Sequence, residues 1–354
     1  MKQPYDSYIE IMGHKEAWQE AVDQVRAESE SLRAFFDRMQ PDQVLFLGCT
    51  SPFYAGSSAA LYWQSTLGIP VRAVTASEFI QYPTAFLPAR SKRPVLIALS
   101  RTGRTTETIW AVEEFEKRYP GRTLYIGCAP GSPLARLASL SVTFEKAYEK
   151  TIPALRSISS MLLASLLAGA MLSDDEAAVS TLRQAPSQVD AILAQAEPLA
   201  QVVSQAQEYQ NVFCLGSGPL YGAAQEGTLK MIEMSLSNSL SFPFMESRHG
   251  PRALVDEDTL VIGLFSHAGL GYEAQVMDEL TRGHHATTVA VVPHQNWSTG
   301  KVTMTITTGC NWPDTLLGLS YLPVLYLLAY YRALACGVNP DISRNLTHHI
   351  EIAR

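Results

Sequence analysis

The stretch LSRTGRTTET, Leu99–Thr108, follows the uncharged run PVLIA and packs five hydroxyls, two arginines and one glycine into ten residues. At the turn from a strand into a helix, such a set makes an anion receptor. Glycine lets the backbone bend so that amides face a ligand, the helix start carries partial positive charge, and hydroxyls add donors. Ser100, Thr102 and Thr105 supply the hydroxyls with Thr106 beside them, and Arg101 or Arg104 offers a charge-assisted contact. A helix cap uses one or two hydroxyls rather than five, so the spacing favours a phosphate on a small molecule over a plain capped helix. The motif GxxxxGK[ST] is absent, which excludes a Walker loop.

A second group is Glu226, Lys230 and Glu233, spaced i, i+4 and i+7, which puts all three on one helical face. The residues alone leave two readings open: a solvated Glu–Lys–Glu ladder, or an acid–base face among the apolar Leu229, Met231, Ile232 and Met234. His249, in RHGP, stands in a loop ahead of a strand-like run. It is either a structural loop histidine or a group able to give and take protons near neutral pH. Glu149 opens an apolar helical stretch and serves either that helix's N-terminal dipole or a ligand. His14, His267, His294 and the pairs 284–285 and 348–349 lack partners at metal spacing, and HExxH and CxxC do not occur. No metal and no organic cofactor is therefore expected.

The elements that must hold these groups repeat along the chain. VLFLGCTSPFYAG (44–56) matches VFCLGSGPLYGAAQEG (212–227), PVLIALS (94–100) matches TLVIGLFS (259–266), and RTLYIGCAPGS (122–132) matches TTVAVVPHQN (287–296). A nearly constant offset means two similarly built halves. Each half reads as strand, Gly/Ser turn, helix, repeated, which predicts a doubly wound, flavodoxin-like α/β fold with ligands at the carboxyl ends of parallel strands. The expected layout is an N-terminal helical segment over 1–40, a first domain over 41–180, a connecting helix over 181–200, a second domain over 201–340 and a tail over 341–354. The counterpart of the hydroxyl-rich turn, FSHAGLGYE, has lost nearly all its hydroxyls. One anion site per chain is expected, in the first half.

Composition narrows the function classes. The 354 residues carry a net charge of −7, which argues against a nucleic-acid partner. Five cysteines at no paired spacing fit reduced thiols in a cytoplasm better than a disulfide framework. The start MKQPYDSYIEIMGHKEAW lacks the apolar core of a signal peptide. The run LLGLSYLPVLYLLAYYRALAC (316–336) is long enough to span a bilayer, but it contains Pro323 and Arg332 and reads as a buried helix, so no membrane partner is expected.

LSRTGRTTET resembles the phosphate loop of the sugar isomerase (SIS) family, written roughly S-x-[ST]-G-x-[ST], and GCTSPFYAG resembles that family's first sugar-binding turn. EGTLKMIEMS with ESRHGPRALVDEDTLVIGL, and the ending NPDISRNLTHHIEIA, resemble the isomerase domain of the glutamine–fructose-6-phosphate aminotransferases, the match running from about residue 40 to the end. The resemblance implies tandem SIS subdomains that bind a sugar phosphate. It puts Ser100, Arg101, Thr102 and Thr105 at the phosphate and Thr50 and Ser51 on the first sugar-binding turn. Glu233 falls on the glutamate that shuttles a proton between C1 and C2. His249 falls on the histidine of ring opening, contributed across a homodimer to the neighbouring subunit's site, and Glu226 and Lys230 on supporting groups. Two departures qualify it. The start leaves no room for a glutaminase domain, so glutamine-independent chemistry is expected. The family's tail lysine falls at His348, and an imidazole cannot form a Schiff base, which leaves Lys230 as a substitute.

These residues imply an aldose–ketose isomerase or an aminosugar-phosphate deaminase acting on a hexose or hexosamine 6-phosphate. The alternatives are a non-catalytic sugar-phosphate sensor and a nicotinamide dehydrogenase. The dehydrogenase rests only on the GxGxxxG of residues 216–222, and no strand ending in a ribose-binding acid follows it.

Overall fold

The computed structural model describes residues 4–87 and 91–352. It divides into two compact units, one formed by residues 13–150, 154–186 and 347–354, the other by residues 1–12, 151–153 and 187–346. A run that is apolar at every position, with no alternation, is a strand covered on both faces. The first unit holds β1 (Gln43–Gly48), β2 (Val71–Thr75), β3 (Pro94–Ser100), β4 (Thr123–Gly127) and β5 (Leu140–Thr143). Every residue of β1, β3 and β4 is buried. The strands pair in parallel in the order β2-β1-β3-β4-β5. The order reverses at β1, so the crevice between the carboxyl ends of β1 and β3 is the switch point where such sheets receive ligands. Register brings Leu47 level with Ala98, placing the turns after both strands side by side.

The second unit repeats this plan with β6 (Asn211–Gly216), β7 (Asn238–Phe242), β8 (Thr259–Leu264), β9 (Thr287–Val292) and β10 (Met304–Thr307). They pair in parallel in the order β7-β6-β8-β9-β10. The two doubly wound sheets expected from the internal repeat are therefore present. Gly48 and Gly216, matched positions of that repeat, show why the strand-to-helix turns are glycine. A Cβ on Gly48 would lie 2.7 Å from Pro52 Cβ, and one on Gly216 would lie 2.7 Å from the Leu220 carbonyl oxygen.

The N-terminal helices are shared out. Asp6–Met12 belongs to the second unit, where the Asp341 carboxylate accepts from the amides of Asp6 (3.0 Å) and Ser7 (2.8 Å) at its first turn. His14–Ala27 and Ser29–Met39 belong to the first. The helix Glu176–Gln205 runs on through Pro186 and Pro198, and the boundary between units falls inside it. The apolar helix Asp314–Ala335 is long enough to cross a membrane, but its apolar window is wholly buried. Its Arg332 donates to the carbonyls of Ser204, Gln207 and Tyr209. A buried guanidinium whose two terminal nitrogens reach three carbonyls at the end of Glu176–Gln205 is a core group, stabilised further by that helix's negative pole.

Candidate functional site

The hydroxyl-rich turn lies at the carboxyl end of β3 and opens the helix Thr106–Arg118. Gly103 sits at φ +60°, where a side chain is strained, and a Cβ there would overlap Ser132 Oγ at 2.1 Å. The turn braces itself. Ser100 Oγ accepts from the Gly103 amide (3.1 Å), Thr102 Oγ1 accepts from the Arg104 amide (3.2 Å), and Tyr125 donates its phenol to the Ser100 carbonyl (2.9 Å). A hydroxyl that accepts an amide still has its own proton to give, so Ser100 and Thr102 remain donors toward an anion. Thr105 precedes the helix and makes no side-chain cap. Across the switch point stands Thr50, at φ 52° and ψ −115°, a sparsely populated conformation for a β-branched residue. Ser51 is buried beside it at the start of the helix Ser51–Leu67. Strain of this kind costs about 1–3 kcal/mol and clusters at functional turns.

The two arginines part company. Arg104 is exposed, whereas Arg101 is buried, its guanidinium 3.5 Å from Glu149. Glu149 is fully buried and accepts from the amides of Leu155 (2.8 Å) and Ser157 (2.7 Å) at the start of Arg156–Leu172. Of the two roles open to Glu149, the structure shows the helix-terminal one, with Arg101 as counter-charge. The same unit holds the tail. Arg101 donates to the His348 carbonyl (3.3 Å), Thr106 donates its amide to the Ile350 carbonyl (3.2 Å), and Ile352 donates to Thr106 Oγ1 (3.1 Å). The tail thus lies across the first turn of Thr106–Arg118. Partial burial, with Arg101 and His349 nearby, pulls the His348 imidazole below its ordinary range, which favours the neutral ring.

In the second unit, Glu226, Lys230 and Glu233 lie along one face of Tyr221–Ser235. Lys230 is fully buried and Glu226 nearly so, while Glu233 keeps 15% of its side chain accessible. The Lys230 ammonium hydrogen-bonds Glu233 and lies 3.5 Å from Glu226. A solvated ladder would leave all three in water, so their burial is at odds with that reading. His249 is exposed in the loop between Phe244–Ser247 and the short helix Gly250–Leu254. Among the described residues no hydrogen bond or ion pair joins its side chain to the Glu–Lys–Glu face.

The matched turn after β8 accounts for the lost hydroxyls. Gly269 donates to Ser266 Oγ (2.9 Å), just as Gly103 does to Ser100. Here, however, protein carboxylates take the loop's donors. Glu273 accepts from the Ser266 amide (2.8 Å) and hydroxyl (2.7 Å), and Asp314 accepts from the amides of His267 (2.6 Å) and Ala268 (3.0 Å). Burial pushes the Glu273 carboxyl up to about 7, against the pull of the Ser266 bonds, and the Asp314 charge adds to the rise. Sequence reasoning missed Asp314 and Tyr125 because residues distant in the chain meet the turns only through packing; Glu273 closes the segment FSHAGLGYE itself, and only the helix Leu270–His284 turns its carboxylate back onto Ser266. A cavity of about 540 Å³ in this unit, lined by Gln195, Leu199, Gln295, Thr305 and Thr307, contains none of the sequence-predicted site residues. Among the described residues no three His, Cys, Asp or Glu are placed to hold a metal ion.

Residues 39–173 match the family model described as SIS domain. The chain is 30% identical over 329 residues to the isomerizing glutamine–fructose-6-phosphate aminotransferase of Caldanaerobacter subterraneus subsp. tengcongensis, covering 88% of this chain and 52% of that protein. It spans about half the length of the curated relatives it matches. In fold it is similar to the tagatose-6-phosphate ketose/aldose isomerase of Escherichia coli, with TM-score 0.87 and 22% identity over 98% of this chain and 97% of that one. It is also similar to the glucosamine-6-phosphate deaminase of Thermotoga maritima, with TM-score 0.74 and 24% identity over 94% of this chain and 99% of that one.

Proposed function

This chain is a SIS-domain protein, and on that premise we propose that it moves a proton between C1 and C2 of a hexose or hexosamine 6-phosphate. The carrying observation is the burial of Lys230 against two carboxylates, of which Glu233 alone keeps appreciable accessible surface. An accessible carboxylate held by a buried ammonium suits a base that must stay in one place.

The roles follow from the chemistry of each group. Ser100, Thr102 and Thr105, with the amides opening Thr106–Arg118, hold the phosphate, and Thr50 and Ser51 contact the sugar from the adjoining turn. Arg101 is oriented by Glu149 and lends positive potential from behind the turn. Glu233 carries the proton between the carbons of the enediol. Lys230 and Glu226 fix Glu233, and Lys230 also stabilises developing negative charge on the carbonyl oxygen. His249 opens and closes the sugar ring, contributed within a homodimer to the neighbouring subunit. The tail at His348 covers the bound sugar. Loss of ammonia from an amino sugar follows the same proton transfer, so isomerase and deaminase differ only in the fate of nitrogen.

The test is incubation with a panel of hexose and hexosamine 6-phosphates in deuterated water, following C1/C2 exchange by NMR and ammonia in parallel. Exchange without ammonia identifies an isomerase, and exchange with ammonia a deaminase. Thermal protection by a sugar phosphate with neither signal identifies a sensor and overturns the catalytic proposal. Glu233→Gln should lower exchange by about 10²–10⁴-fold and leave phosphate-dependent protection intact; full activity in that variant rules out Glu233 as the base.

A further inference from the structure

His249 is bracketed by two arginines that share one carboxylate. Arg248 reaches Glu279 of the helix Leu270–His284 through a fork, Nε to Oε2 at 3.2 Å and a terminal nitrogen to Oε1 at 2.8 Å. Arg252 donates a terminal nitrogen to Glu279 Oε2 at 2.6 Å, and its Nε donates to His284 Nε2 at 3.1 Å. Hydrogen bonds from Arg248 first, then its charge and Arg252, hold the Glu279 carboxyl below the usual carboxylate range, so the anion persists across neutral pH. The backbone continues the pattern: His249 donates to the Glu246 carbonyl (3.2 Å) and Arg252 donates to the His249 carbonyl (3.3 Å).

These side chains are only half-buried, at 20%, 32% and 40% exposure for Arg248, Arg252 and Glu279. Ion pairs so exposed contribute little to global stability. Their geometry acts locally instead. A bidentate fork fixes direction as well as distance, and here one carboxylate ties down the chain on both sides of an exposed histidine. The neighbouring Gly250 has open space around it, since a Cβ added there would meet nothing within 4 Å, so packing does not confine the loop at that point.

We propose that Glu279 is a positioning residue: by clamping Arg248 and Arg252 it presents the His249 imidazole at one fixed place for opening the sugar ring. This rests on the phosphosugar proposal above. Acid–base catalysis needs the imidazole within hydrogen-bond reach of the ring oxygen, and a shift of about 1 Å can cost about 10²-fold.

The experiment compares two substrates. A ketohexose 6-phosphate closes to a furanose through its 5-hydroxyl; its 5-deoxy analogue cannot close and needs no ring opening. Glu279→Ala should slow kcat for the ring-forming substrate by about tenfold or more while changing that for the open analogue by less than about twofold. Amide hydrogen exchange over residues 248–254 should rise in the same variant. Equal loss on both substrates, or loss on neither, overturns the positioning role. If wild type exchanges protons on neither substrate, the phosphosugar proposal itself falls. Arg248→Lys with Arg252→Lys keeps both charges but removes the forks; it should reproduce the substrate split if Glu279→Ala does not fold.

Discussion

Replacing Lys230 by methionine tests the central feature of the second unit. Methionine retains most of the side chain's length and removes the ammonium. Lys230 is fully buried and Glu226 is 1% exposed, with the ammonium 3.5 Å from one Glu226 oxygen and hydrogen-bonded to Glu233. Taking one partner from a buried pair costs about 3–5 kcal/mol, because the remaining charge has lost its compensation. The same change in an exposed helical i, i+4 pair costs only about 0.3–0.5 kcal/mol. The gap is nearly tenfold, which makes the measurement decisive. Denaturant midpoints and amide exchange along Tyr221–Ser235 should be read for wild type, Lys230→Met, Glu226→Gln and the double variant. The double variant should be more stable than additivity allows, with a coupling of about 1–3 kcal/mol, since neutralising Glu226 relieves the burden that Lys230→Met creates. A cost below about 1 kcal/mol for Lys230→Met, with additive behaviour, would refute the buried-triad account.

Gly103→Ala should abolish phosphate-dependent thermal protection and cost at least about 1 kcal/mol, because the new Cβ meets Ser132 Oγ and the backbone is left-handed there; calorimetric titration with a sugar phosphate reads the first effect and melting the second. Glu273 makes stability depend on pH with a definite sign. Its folded carboxyl titrates at about 7 and its unfolded one near about 4.3. Between those values the native state binds more protons than the unfolded state, so this group's contribution weakens as pH rises toward 7 and levels off above it. Glu273→Gln should therefore gain on wild type by roughly 3 kcal/mol between pH 4 and pH 8; parallel stability curves for the two proteins would count against the raised carboxyl.

Two second-unit loops show how local and tertiary information divide. FSHAGLGYE reads in sequence as an anion turn stripped of hydroxyls, and that much is legible because turn chemistry is local. That Asp314, 46 and 47 residues along the chain, takes the amides of Ala268 and His267 is invisible until the helix Asp314–Ala335 packs beside the turn. Likewise RHGPR shows two arginines around a histidine, but nothing in a linear chain nominates Glu279 as their common partner.

By itself the sequence determined the two-fold repeat, the parallel sheets and the place of the hydroxyl-rich turn at a strand end. Strand burial on both faces, glycine at a strand end and hydroxyls at a helix start are all written in neighbouring positions. Only the tertiary structure decided the state of the charges. The spacing of Glu226, Lys230 and Glu233 is the same for a solvated ladder and a buried triad, and Arg101 and Arg104 look equivalent along the chain. Which of them loses water depends on what packs over them, and the free energy of a charge depends far more on that than on its place in the sequence.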